Sequence, residues 1–417
     1  FAAVGVEGTM SEQPASLPNG FRDSTGEATL RPDLGPLPED WQVVRLGEVA
    51  QIEMGQSPPS ITYNSEGIGL PFFQGKADFG DIYPTTRKWC SSPNKIAEKD
   101  DILLSVRAPI GDVNIATQRC CIGRGLTAIR AGAKSDSKYL FYHLLFSQEL
   151  LESKGTGTTF KQINKETVTH FLIPLPPLAE QRAIAHVLTS IQRAIEATEQ
   201  VIAAARELKK SLMRHLFTYG PVSPAEAESV PLQETEIGTL PVHWQVVRLG
   251  EVADIFDKQR IPLNEQQRAK MKGIYPYCGA NGIVDYINDY IFDGEYVLLA
   301  EDGGYWGAYE PSSYLMRGKF WVNNHAHVLK GKSDICTNYF LHLVLNYLNI
   351  SPLIGGDARG KLTQAVAKRI PIPLPPLPEQ QRIAEMLAAV DEKIQAEEQR
   401  KAALQSLFRS MLHHLMT

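Results

Sequence analysis

The ten residues WQVVRLGEVA lie at Trp41–Ala50 and occur again, unchanged, at Trp244–Ala253. A second doubled stretch follows each of them: IPLPPLAEQRAIAHVLTSI begins at Ile173, and IPLPPLPEQQRIAEMLAAV begins at Ile372. Self-similarity at a fixed period indicates that one structural unit is repeated. The chain is therefore predicted to hold two copies of one unit, each with a Trp-led opening, a variable stretch, a Pro-rich joint and a final helix.

The final helices are predicted from residues that recur every seven positions. In the first helix they are Ile184, Ile191, Thr198, Ala205 and Leu212, with a second seam at Val187, Ala194, Val201 and Leu208. In the second helix they are Ile383, Val390, Glu397, Leu404 and Met411, with Met386, Leu387 and Leu407 beside them. Sustained heptads with charged outer faces are typical of coiled coils. Such heptads also occur in homodimers, but two matched helices in one chain favour antiparallel packing within the molecule.

The variable stretches have the pattern of mixed domains. Strands are predicted at Asp101–Val106, Gly294–Ala300 and Phe320–Leu329, each bounded by turn residues. Buried helices are predicted at Lys138–Phe146 and Asn338–Leu348, at matching places in the two copies. The halves otherwise differ in sequence, so a common scaffold carries two different surfaces. The predicted fold class is α+β: two α/β domains in tandem repeat, separated by two long antiparallel, coiled-coil-like helices, with pseudo-twofold symmetry.

The doubled stretches divide the chain into six predicted segments. They are a disordered N-terminal segment (1–32), a first domain (33–172), a joint with a central helix (173–217), a linker (218–240), a second domain (241–371), and a joint with a C-terminal helix (372–417). Gly220-Pro221 is expected to end the first helix. The linker is Pro-rich and acidic, which predicts a loose course over the surface.

Acidic residues are concentrated outside the predicted domains. Residues 1–40 hold 2 basic and 7 acidic side chains, and residues 217–243 hold no Lys or Arg and 4 acids. The total charge of −5 therefore leaves a net charge of +4 on the rest of the chain. DNA binding needs a local basic surface and not a high overall pI. The charge pattern thus permits DNA binding without requiring it.

The composition predicts a cytoplasmic protein. The sequence has no run of 18 apolar residues, so no membrane span is expected. Its first residues, FAAVGVEGTM, lack the basic start and apolar core of a secretion signal. The five cysteines have no C-x-x-C spacing, which favours reduced thiols over a disulfide framework or a zinc site. They are Cys90, Cys120, Cys121, Cys278 and Cys336.

The search for catalytic motifs finds none. DNA methyl transfer would need a Gly-rich cofactor loop and an Asn/Asp-Pro-Pro-aromatic motif, which the sequence lacks. The stretch Gly355–Leu362 resembles a phosphate loop, but Leu362 stands where a Mg²⁺-binding Ser or Thr belongs. We interpret it as a flexible loop whose cations are available to phosphates. His325 and His327 alternate on a predicted strand, but no third metal ligand is near them, so core or hydrogen-bonding histidines are favoured.

Polar, basic and aromatic residues beside glycines stand out in both variable halves. In the first half they are Gln74, Lys76, Arg87, Arg107, Arg124, Thr158, Thr159 and Lys161. In the second half they are Lys258, Arg260, Tyr305, Asn323, Asn324, Arg359 and Lys361. Arg, Lys, Asn and Gln side chains read base edges, and Thr hydroxyls bind phosphates. Each residue alone is more typical of a solvated or structural group, and only their concentration in both halves favours DNA binding.

The doubled W-x-V-V-R-L-G-E-V-A opening, the doubled I-P-L-P-P-L-x-E-Q joint and the heptad helices resemble the specificity subunits of type I restriction–modification systems. DILLSVRAPIG and FWVNNHAHVL are also similar to target-recognition domains of that family. The resemblance covers nearly all of Asp33–Thr417. It implies that each variable half is a target-recognition domain for one half-site of a bipartite, asymmetric double-stranded DNA target, and that the helices set the spacer.

The same resemblance implies the partners. The helices would dock two methyltransferase subunits, and translocase-nuclease subunits would join that core. S-adenosylmethionine, ATP and Mg²⁺ would then belong to those partners, and this chain would be a non-catalytic subunit without a cofactor. Two alternatives stay open. A stand-alone nuclease or methyltransferase with degenerate motifs would bind S-adenosylmethionine or ATP, whereas a scaffold that binds only protein would have no affinity for DNA.

Overall fold

The chain folds into two compact units. The computed structural model describes residues 37–157, 161–355 and 360–417. Unit 1 comprises the described residues up to Ala197 together with Lys401–Thr417, and unit 2 comprises those of Thr198–Arg400. Some of the sequence predictions fall outside the described residues: segment 1–32, Thr158, Thr159 and Arg359.

The helices and strands of the first half of the chain contain the predicted strand and helix of that half. In chain order they are β1 (Gln42–Arg45), α1 (Leu46–Val49), β2 (Ala50–Met54), β3 (Tyr63–Asn64), β4 (Leu70–Phe73), β5 (Trp89–Cys90), β6 (Ile96–Ala97), β7 (Ile102–Ser105), β8 (Val113–Ile115), β9 (Cys120–Ile122), β10 (Leu126–Ala131), α2 (Ser137–Phe146), α3 (Gln148–Ser153), α4 (Lys165–Thr169), β11 (Leu172–Leu175) and α5 (Leu178–Tyr219). The predicted strand corresponds to β7, and the predicted helix corresponds to α2.

The second half contains the matching opening, joint and long helix, with fewer and longer strands between the opening and the joint. Its elements are α6 (Pro224–Ala227), β12 (Leu232–Thr235), β13 (Gly238–Pro241), β14 (Gln245–Arg248), α7 (Leu249–Val252), β15 (Ala253–Ile255), α8 (Glu265–Lys270), β16 (Lys272–Gly279), β17 (Gly282–Ile287), β18 (Phe292–Ala300), β19 (Ser313–Val322), β20 (Ala326–Gly331), α9 (Asn338–Tyr347), α10 (Gln364–Ala367), β21 (Pro371–Leu374) and α11 (Leu377–Met416). The stretch Phe320–Leu329, predicted as one strand, is divided between β19 and β20 by a turn at residues 323–325. Asn323 and Asn324 explain the break because asparagine favours turns.

Each unit packs one buried helix against a β-sheet, which in unit 1 is antiparallel throughout and in unit 2 is mixed because β16 pairs with β19 in parallel. In unit 1 the strand orders are β2-β10-β7-β8 and β3-β5-β4-β9-β6, and in unit 2 a six-stranded sheet has the order β15-β20-β18-β19-β16-β17. The helices α2 and α9 contribute their buried aromatic and aliphatic side chains to the main cores. Asp136 and Thr337 begin these helices by accepting hydrogen bonds from first-turn amides. The predicted α+β class is confirmed in both units.

The doubled motifs contact each other within each unit. Strand β1 pairs with β11, and β14 pairs with β21 in the same register. The buried indole of Trp41 donates a hydrogen bond to Glu180 (3.2 Å), and Trp244 donates one to Glu379 (3.0 Å). Each glutamate lies in the first turn of a long helix, where a carboxylate is favoured by the helix dipole. The repeated opening and the repeated joint therefore form one structural frame.

The glutamine of each E-Q pair ties the long helix to its unit. Gln181 is fully buried, accepts a hydrogen bond from the Asp136 amide (2.8 Å), and donates to the carbonyls of Lys134 (3.1 Å) and Pro176 (2.8 Å). Gln380 is fully buried too, and makes the equivalent three bonds in unit 2. A buried amide side chain with all of these bonds satisfied allows little variation in position.

The two long helices are antiparallel, as predicted. Helix α5 has 42 residues and α11 has 40, which at 1.5 Å per residue gives lengths of about 63 and 60 Å. Within unit 2, Arg206 pairs with Glu398 and Lys209 pairs with Asp391, each at 2.6 Å, so partner numbers fall along one helix as they rise along the other. No helix among the described residues has both the length and the apolar character that a membrane span requires.

One predicted seam of α5 is wrong. Val187, Val201 and Leu208 have exposed fractions of 38, 41 and 59%, and so cannot form the second apolar seam. The buried positions lie one residue later at Leu188, Ile195 and Ile202. Residues three and four positions after Ile184 flank it on the helix surface, so both stripes fit the heptad pattern. Which stripe is buried depends on what covers it, and the spacing alone does not specify that.

The loose course predicted for the linker is also wrong. Its residues form the short helix α6 and the hairpin β12–β13, and Leu240 is buried in the core of unit 2. Gln233 donates a hydrogen bond to the carbonyl of Trp244 (3.0 Å). Gly220 ends α5 with a positive φ of 80°, as predicted. The prediction was drawn from the acidic composition as a whole and did not take into account Leu240 or the polar side chains that stabilise the hairpin.

All five cysteines are buried and free. Burial raises the pKa of the thiols of Cys120, Cys121, Cys278 and Cys336 to about 12. These thiols are therefore protonated at neutral pH and behave as small apolar side chains in the cores.

Candidate DNA interface

Sheet register brings three segments of unit 1 to one end of the β2-β10-β7-β8 sheet. Leu126, at the start of β10, lies opposite Ser105 at the end of β7, and Thr127 lies opposite Met54 at the end of β2. The segments after β2 and β7 and before β10 must therefore meet at this end. They contain Arg107 and Arg124, two of the predicted DNA-binding residues.

Backbone hydrogen bonds join these loops. Gly125 accepts a bond from the Val106 amide (2.9 Å) and donates its own N–H to the carbonyl of Gln74 (3.1 Å). The Ser57 hydroxyl lies between the side-chain amide of Gln74 (2.8 Å) and the backbone N–H of Arg124 (3.2 Å). The side chains of Gln74 and Arg124 are both exposed. The structure thus assembles, from segments far apart in sequence, a polar group next to a cation.

Lys161 and Arg107 come together on the same side. The backbone of Arg107 forms a bridge with Gln162, and the Ala108 amide donates to the carbonyl of Lys161 (3.2 Å). Arg107 and Lys161 are both exposed. Two cations on adjacent extended segments can contact successive phosphates or base edges, since strands of a ladder lie about 4.8 Å apart.

Lys76 and Arg87 extend this surface. Lys76 pairs with Asp112 at 2.8 Å, and the guanidinium of Arg87 donates to the carbonyl of Ala77 (3.1 Å). The side chain of Lys76 is 45% exposed. Lys76 is the more exposed partner of this pair, so its ammonium group is open to solvent and to an approaching phosphate, whereas Asp112 is mostly covered. We call the six exposed residues the cationic surface of unit 1: Gln74, Lys76, Arg87, Arg107, Arg124 and Lys161.

Ser57 was missed by the sequence reading. It follows β2, and counting from the doubled opening gives it the position of Arg260, one of the predicted residues, so the repeat itself could have indicated it. Lys258 lies exposed on a 3₁₀ turn at Asp257–Gln259. Alignment of the doubled opening thus locates the loop that follows the first sheet strand in both units, although the loop sequences differ.

In unit 2 the predicted residues divide into two groups. Three residues lie at the surface. Tyr305 (56% exposed) is on the segment after β18, Asn324 is in the turn before β20, and Lys361 is on the segment before α10, which we call the returning chain. Asn323 is 7% exposed, and its side-chain oxygen accepts the N–H of His325 (2.7 Å). Asn323 therefore stabilises the turn, whereas its neighbour Asn324 faces solvent.

Arg260 is not a free surface cation. Its guanidinium donates to Glu301 (2.7 Å) and to the carbonyl of Ala326 (2.6 Å), and its side chain is only 12% exposed. Lys361 contacts the same glutamate at 3.2 Å, with its side chain 52% exposed. The sequence pattern identified Arg260 as basic but gave no sign of Glu301, which is 41 positions away. The structure therefore assigns Arg260 to a buried ionic network.

His327 belongs to this network and does not share a face with His325. His327 is fully buried on β20 and lies 2.7 Å from Asp257, whereas His325 is in the preceding turn and pairs with Asp302 at 2.7 Å. The prediction that both imidazoles lie on one strand face is wrong, and the prediction of a hydrogen-bonding role is confirmed. The turn at residues 323–325 accounts for the difference.

Asp257, Glu301 and His327 are the group among the described residues whose donor atoms could surround a metal ion, since these atoms lie within 4.8 Å of one another. Arg260 already contacts both carboxylates. Burial alone would raise the pKa of Asp257, but the hydrogen bond and charge of His327, the Val328 amide and Arg260 hold it below its usual range. The existing cations thus balance the carboxylates, and the cluster fits an ion network better than a metal centre.

A cleft of about 460 Å³, lined by apolar as well as polar side chains, opens at the tip of the β16–β17 hairpin. Asn281, Asp302, Asn324 and His325 are among its lining residues. Asn281 donates a hydrogen bond to the carbonyl of Gly303 (2.9 Å), which joins the hairpin to the loop after β18. Asn281 and His325 were not among the predicted DNA-binding residues. His325 directly follows Asn324 in the sequence, which was the available signal for it, whereas Asn281 is brought to the cleft by the fold of the β16–β17 hairpin.

The sequence and fold match known proteins over most of their length. The type I restriction modification DNA specificity domain matches twice, at residues 38–206 and 241–406. The chain is 26% identical over 410 residues to the type I restriction enzyme MjaVIII specificity subunit of Methanocaldococcus jannaschii, covering 91% of this chain and 93% of that protein. A crystal structure of the type I restriction–modification S subunit from M. genitalium has the same fold, with a TM-score of 0.65, 18% identity, and coverage of 92% of this chain and 98% of that one.

A further relative matches one part more strongly. The protein assigned as the MjaX type I restriction enzyme specificity subunit of M. jannaschii is 47% identical over 189 residues. That alignment covers 45% of this chain and 44% of the relative, so it spans less than half of either. The domain matches, in contrast, cover both units. The chain therefore belongs to the family defined by the type I restriction modification DNA specificity domain, of which it holds two copies.

Proposed function

We propose that this chain is the DNA-specificity subunit of a type I restriction–modification complex, in which each unit reads one half of a bipartite, asymmetric target. The observation that carries the proposal is the contrast between frame and loops. The frame of Trp-led strand, joint strand and long helix is the same in both units, whereas the loops at the sheet end differ in length and chemistry. We assign the two target-recognition domains to residues 33–172 and 241–371.

The chemistry of each loop surface supports base reading. The cationic surface of unit 1 combines arginines, which suit guanine N7 and O6, with Gln74, whose amide suits adenine N6 and N7. The surface of unit 2 is less cationic and carries Asn324, Tyr305 and Lys361. Different side chains at equivalent places would favour different base sequences, which is why the proposed target is asymmetric.

The partners in this proposal follow from family membership. The long helices would dock two methyltransferase subunits, and translocase-nuclease subunits would complete the complex. S-adenosylmethionine, ATP and Mg²⁺ would be bound by those partners, and this chain would contribute no catalytic group. Calorimetric titration of the chain with S-adenosylmethionine or ATP tests this directly. We expect no saturable heat of binding for either compound, and micromolar binding of either one would contradict the assignment.

The central experiment is selection from DNA duplexes with randomised sequence, using the full chain together with a methyltransferase partner. We expect recovery of two short, different half-sites at a fixed separation. A chain that acts only as a protein scaffold would enrich no sequence. Recovery of two identical half-sites would contradict the assignment of different specificities to the two units.

A further inference from the structure

The buried ionic network of unit 2 connects four segments of its DNA-facing end. Asp257 lies on the turn after β15, Glu301 follows β18, His327 lies on β20, and the carbonyl of Leu362 belongs to the returning chain. His327 bridges two of these segments, with Nδ1 at 2.7 Å from Asp257 and Nε2 at 2.7 Å from the Leu362 carbonyl.

The geometry requires two protons on the imidazole or one on the carboxylate. A carbonyl oxygen can only accept, so His327 Nε2 must donate to Leu362. At 2.7 Å from a carboxylate, Nδ1 must also share a proton with Asp257. The other groups facing this pair are Gln364, which donates to Asp257 (3.1 Å), and Glu301 with its two cations. The network thus pairs two acids with His327, Arg260 and Lys361.

Unit 1 builds the same sheet end without any of these ions. Thr127 lies opposite Leu104, and His327 lies opposite Leu299. When positions are counted from the matching residues of the doubled frame, Thr127 is the equivalent of His327 and Leu104 is the equivalent of Leu299. By the same register, Met54 occupies the position of Asp257 and Val106 that of Glu301. The amide that bonds to Val106 belongs to Ile163, and the amide that bonds to Glu301 belongs to Leu362. The fold therefore does not require a buried ionic network at this place.

Burial of ions at this place is costly. Removing a charge from water costs several kcal/mol per ion, and apolar residues of similar volume often replace a buried ion pair without loss of stability. Unit 1, with Met54 and Thr127, shows such a solution in the same chain. Stability is thus a poor explanation for the network, and the directional bonds that it makes to four segments are a better one.

We infer that the Asp257–Glu301–His327–Arg260 network is a positioning device that determines the base preference of unit 2. Each segment that it joins carries a surface candidate: Lys258 is next to Asp257, Asn324 lies in the turn before β20, and Lys361 precedes Leu362. Tyr305 follows Glu301 on the segment after β18. The network fixes these side chains relative to one another, as residues that read adjacent bases require. The inference rests on the proposed function of unit 2.

The test uses the double substitution Asp257→Met with His327→Thr in the full chain, which copies the pair found in unit 1. It removes both members of the hydrogen-bonded pair together, so neither is left buried without its partner, and it leaves Arg260 with Glu301. Selection from randomised duplexes should show a base preference reduced at least tenfold at one or more positions of the half-site read by unit 2. The half-site read by unit 1 should not change.

The salt dependence of non-specific affinity separates positioning from direct contact. The double variant loses no exposed cation, so the slope of affinity against salt should equal that of the wild type. The matched control is Arg248→Ala with Glu236→Ala, which removes an exposed pair of 2.9 Å in the frame of unit 2. The control should retain both half-site preferences.

Each outcome decides one of the two proposals. If the wild-type chain selects no bipartite sequence, the proposed function fails. If the wild type selects one and the double variant keeps the same preferences, the inference alone fails. Unfolding of the double variant, seen as loss of the cooperative thermal transition, would also overturn the inference, because it requires a frame that stands without the pair as it does in unit 1.

Discussion

Arg107 is exposed on the segment after β7, beside Lys161, and so belongs to the residues that can meet DNA directly. We expect Arg107→Ala to change DNA binding and not folding. Loss of a base-edge contact should cost about 1–3 kcal/mol and relax one position of one half-site. Loss of a phosphate contact should instead weaken all sequences evenly and lower the salt slope by about one. Selection from randomised duplexes distinguishes the two cases.

The control for Arg107 is Arg119→Ala. Arg119 is also exposed (59%) but pairs with Glu98, outside the cationic surface of unit 1. This substitution should leave base preference unaltered. A changed preference at the half-site read by unit 2 in the Arg107 variant would show that one unit does not read one half-site.

Arg260→Ala, unlike Arg107→Ala, should lower the stability of the folded chain. Arg260→Ala removes the guanidinium that contacts both Glu301 and Asp257 in a mostly buried site. Breaking a buried pair by removing one partner typically costs about 3–5 kcal/mol, so the free energy of unfolding should fall by that order. Urea denaturation measures it, with Arg107→Ala expected within about 0.5 kcal/mol of the wild type. A stability loss of similar size in both variants would contradict the different roles assigned here.

His342 makes the stability of unit 2 dependent on pH. Burial, with a smaller contribution from Lys209 and opposition from Asp391, lowers the pKa of this imidazole to about 4 from its ordinary 6.5. The unfolded chain therefore binds a proton more readily than the folded one between these values. Stability is fully present above pH 6.5 and is lost as the pH falls toward 4, by at most about 1.4 kcal/mol per pH unit.

Urea titrations at pH 7, 6, 5 and 4 measure this effect. His342→Gln removes the titrating group and can still bond to Ser313, whose hydroxyl lies 3.1 Å from the imidazole. The variant should show a shallower loss of stability over the same range. Equal slopes for the variant and the wild type would assign the acid sensitivity to other groups.

At the residue scale, the sequence indicated which residue types suit DNA binding better than it indicated whether each of them is exposed or buried. Exposure of Gln74, Arg107 and Arg124 agrees with the prediction, because loops between buried strands present polar side chains to solvent. Arg260 and Asn323 satisfy the same pattern and are buried. Their partners are distant in sequence or belong to the backbone, and the pattern contains neither. Their DNA contacts stay predictions for all of these residues.

At the element scale, the frame could be predicted and one helix face could not. The doubled motifs predicted long helices that end with the segments 173–217 and 372–417, within two residues of their observed ends at Tyr219 and Met416. The exposed seam at Val201 and Leu208 was predicted as buried because two heptad stripes were equally apolar. An apolar stripe shows that burial is possible, and the neighbouring element determines whether it occurs.

The E-Q pair provides a test of the frame. Gln380→Leu preserves volume but leaves the Thr337 amide and the carbonyls of Ile335 and Pro375 without their partner. Each unsatisfied buried polar group costs about 1–3 kcal/mol, so the three together should lower stability by at least about 3 kcal/mol. Thermal unfolding of the full chain measures it. The adjacent Gln381 is exposed, and Gln381→Leu should change stability by less than about 0.5 kcal/mol.

Equal effects of the two glutamine substitutions would show that the buried hydrogen bonds of Gln380 do not hold the helix to the unit. The same reasoning applies to Gln181 in unit 1, whose three bonds are equivalent. Because the two units hold the same hydrogen-bonded glutamine, the substitution can be repeated in the second frame of the same chain. A loss confined to one of them would indicate that the repeat preserves sequence but not the role of this residue.

At the scale of the whole molecule, the repeat explains how one chain can present two different DNA-reading surfaces. The sequence predicted two units because identical motifs must build identical frames. The sequence did not predict which segments belong to which unit. In the structure, α5 and α11 each contribute residues to both units. Each helix therefore serves two units, and its length is a property of the whole molecule.

The last prediction concerns that length. We expect the spacer between the half-sites to be set by α5 and α11, of about 63 and 60 Å. Insertion of four residues at matching heptad positions in both helices adds about 6 Å, and a four-residue insertion only locally unwinds a coiled coil. At about 3.4 Å per base pair, the spacer should grow by one or two base pairs while both half-sites stay the same. Methylation mapping with an active complex measures it.

The control insertion places the same four residues in the turn between β12 and β13, which lengthens the chain but neither helix. It should leave the spacer unchanged, since nothing in that hairpin adds to the helical rise. If the helix insertions also left the spacer unchanged in an assembled, active complex, the helices would be partner-binding elements and not a ruler. A spacer that followed the helix insertions and ignored the hairpin insertion would assign the measurement of distance to α5 and α11 alone.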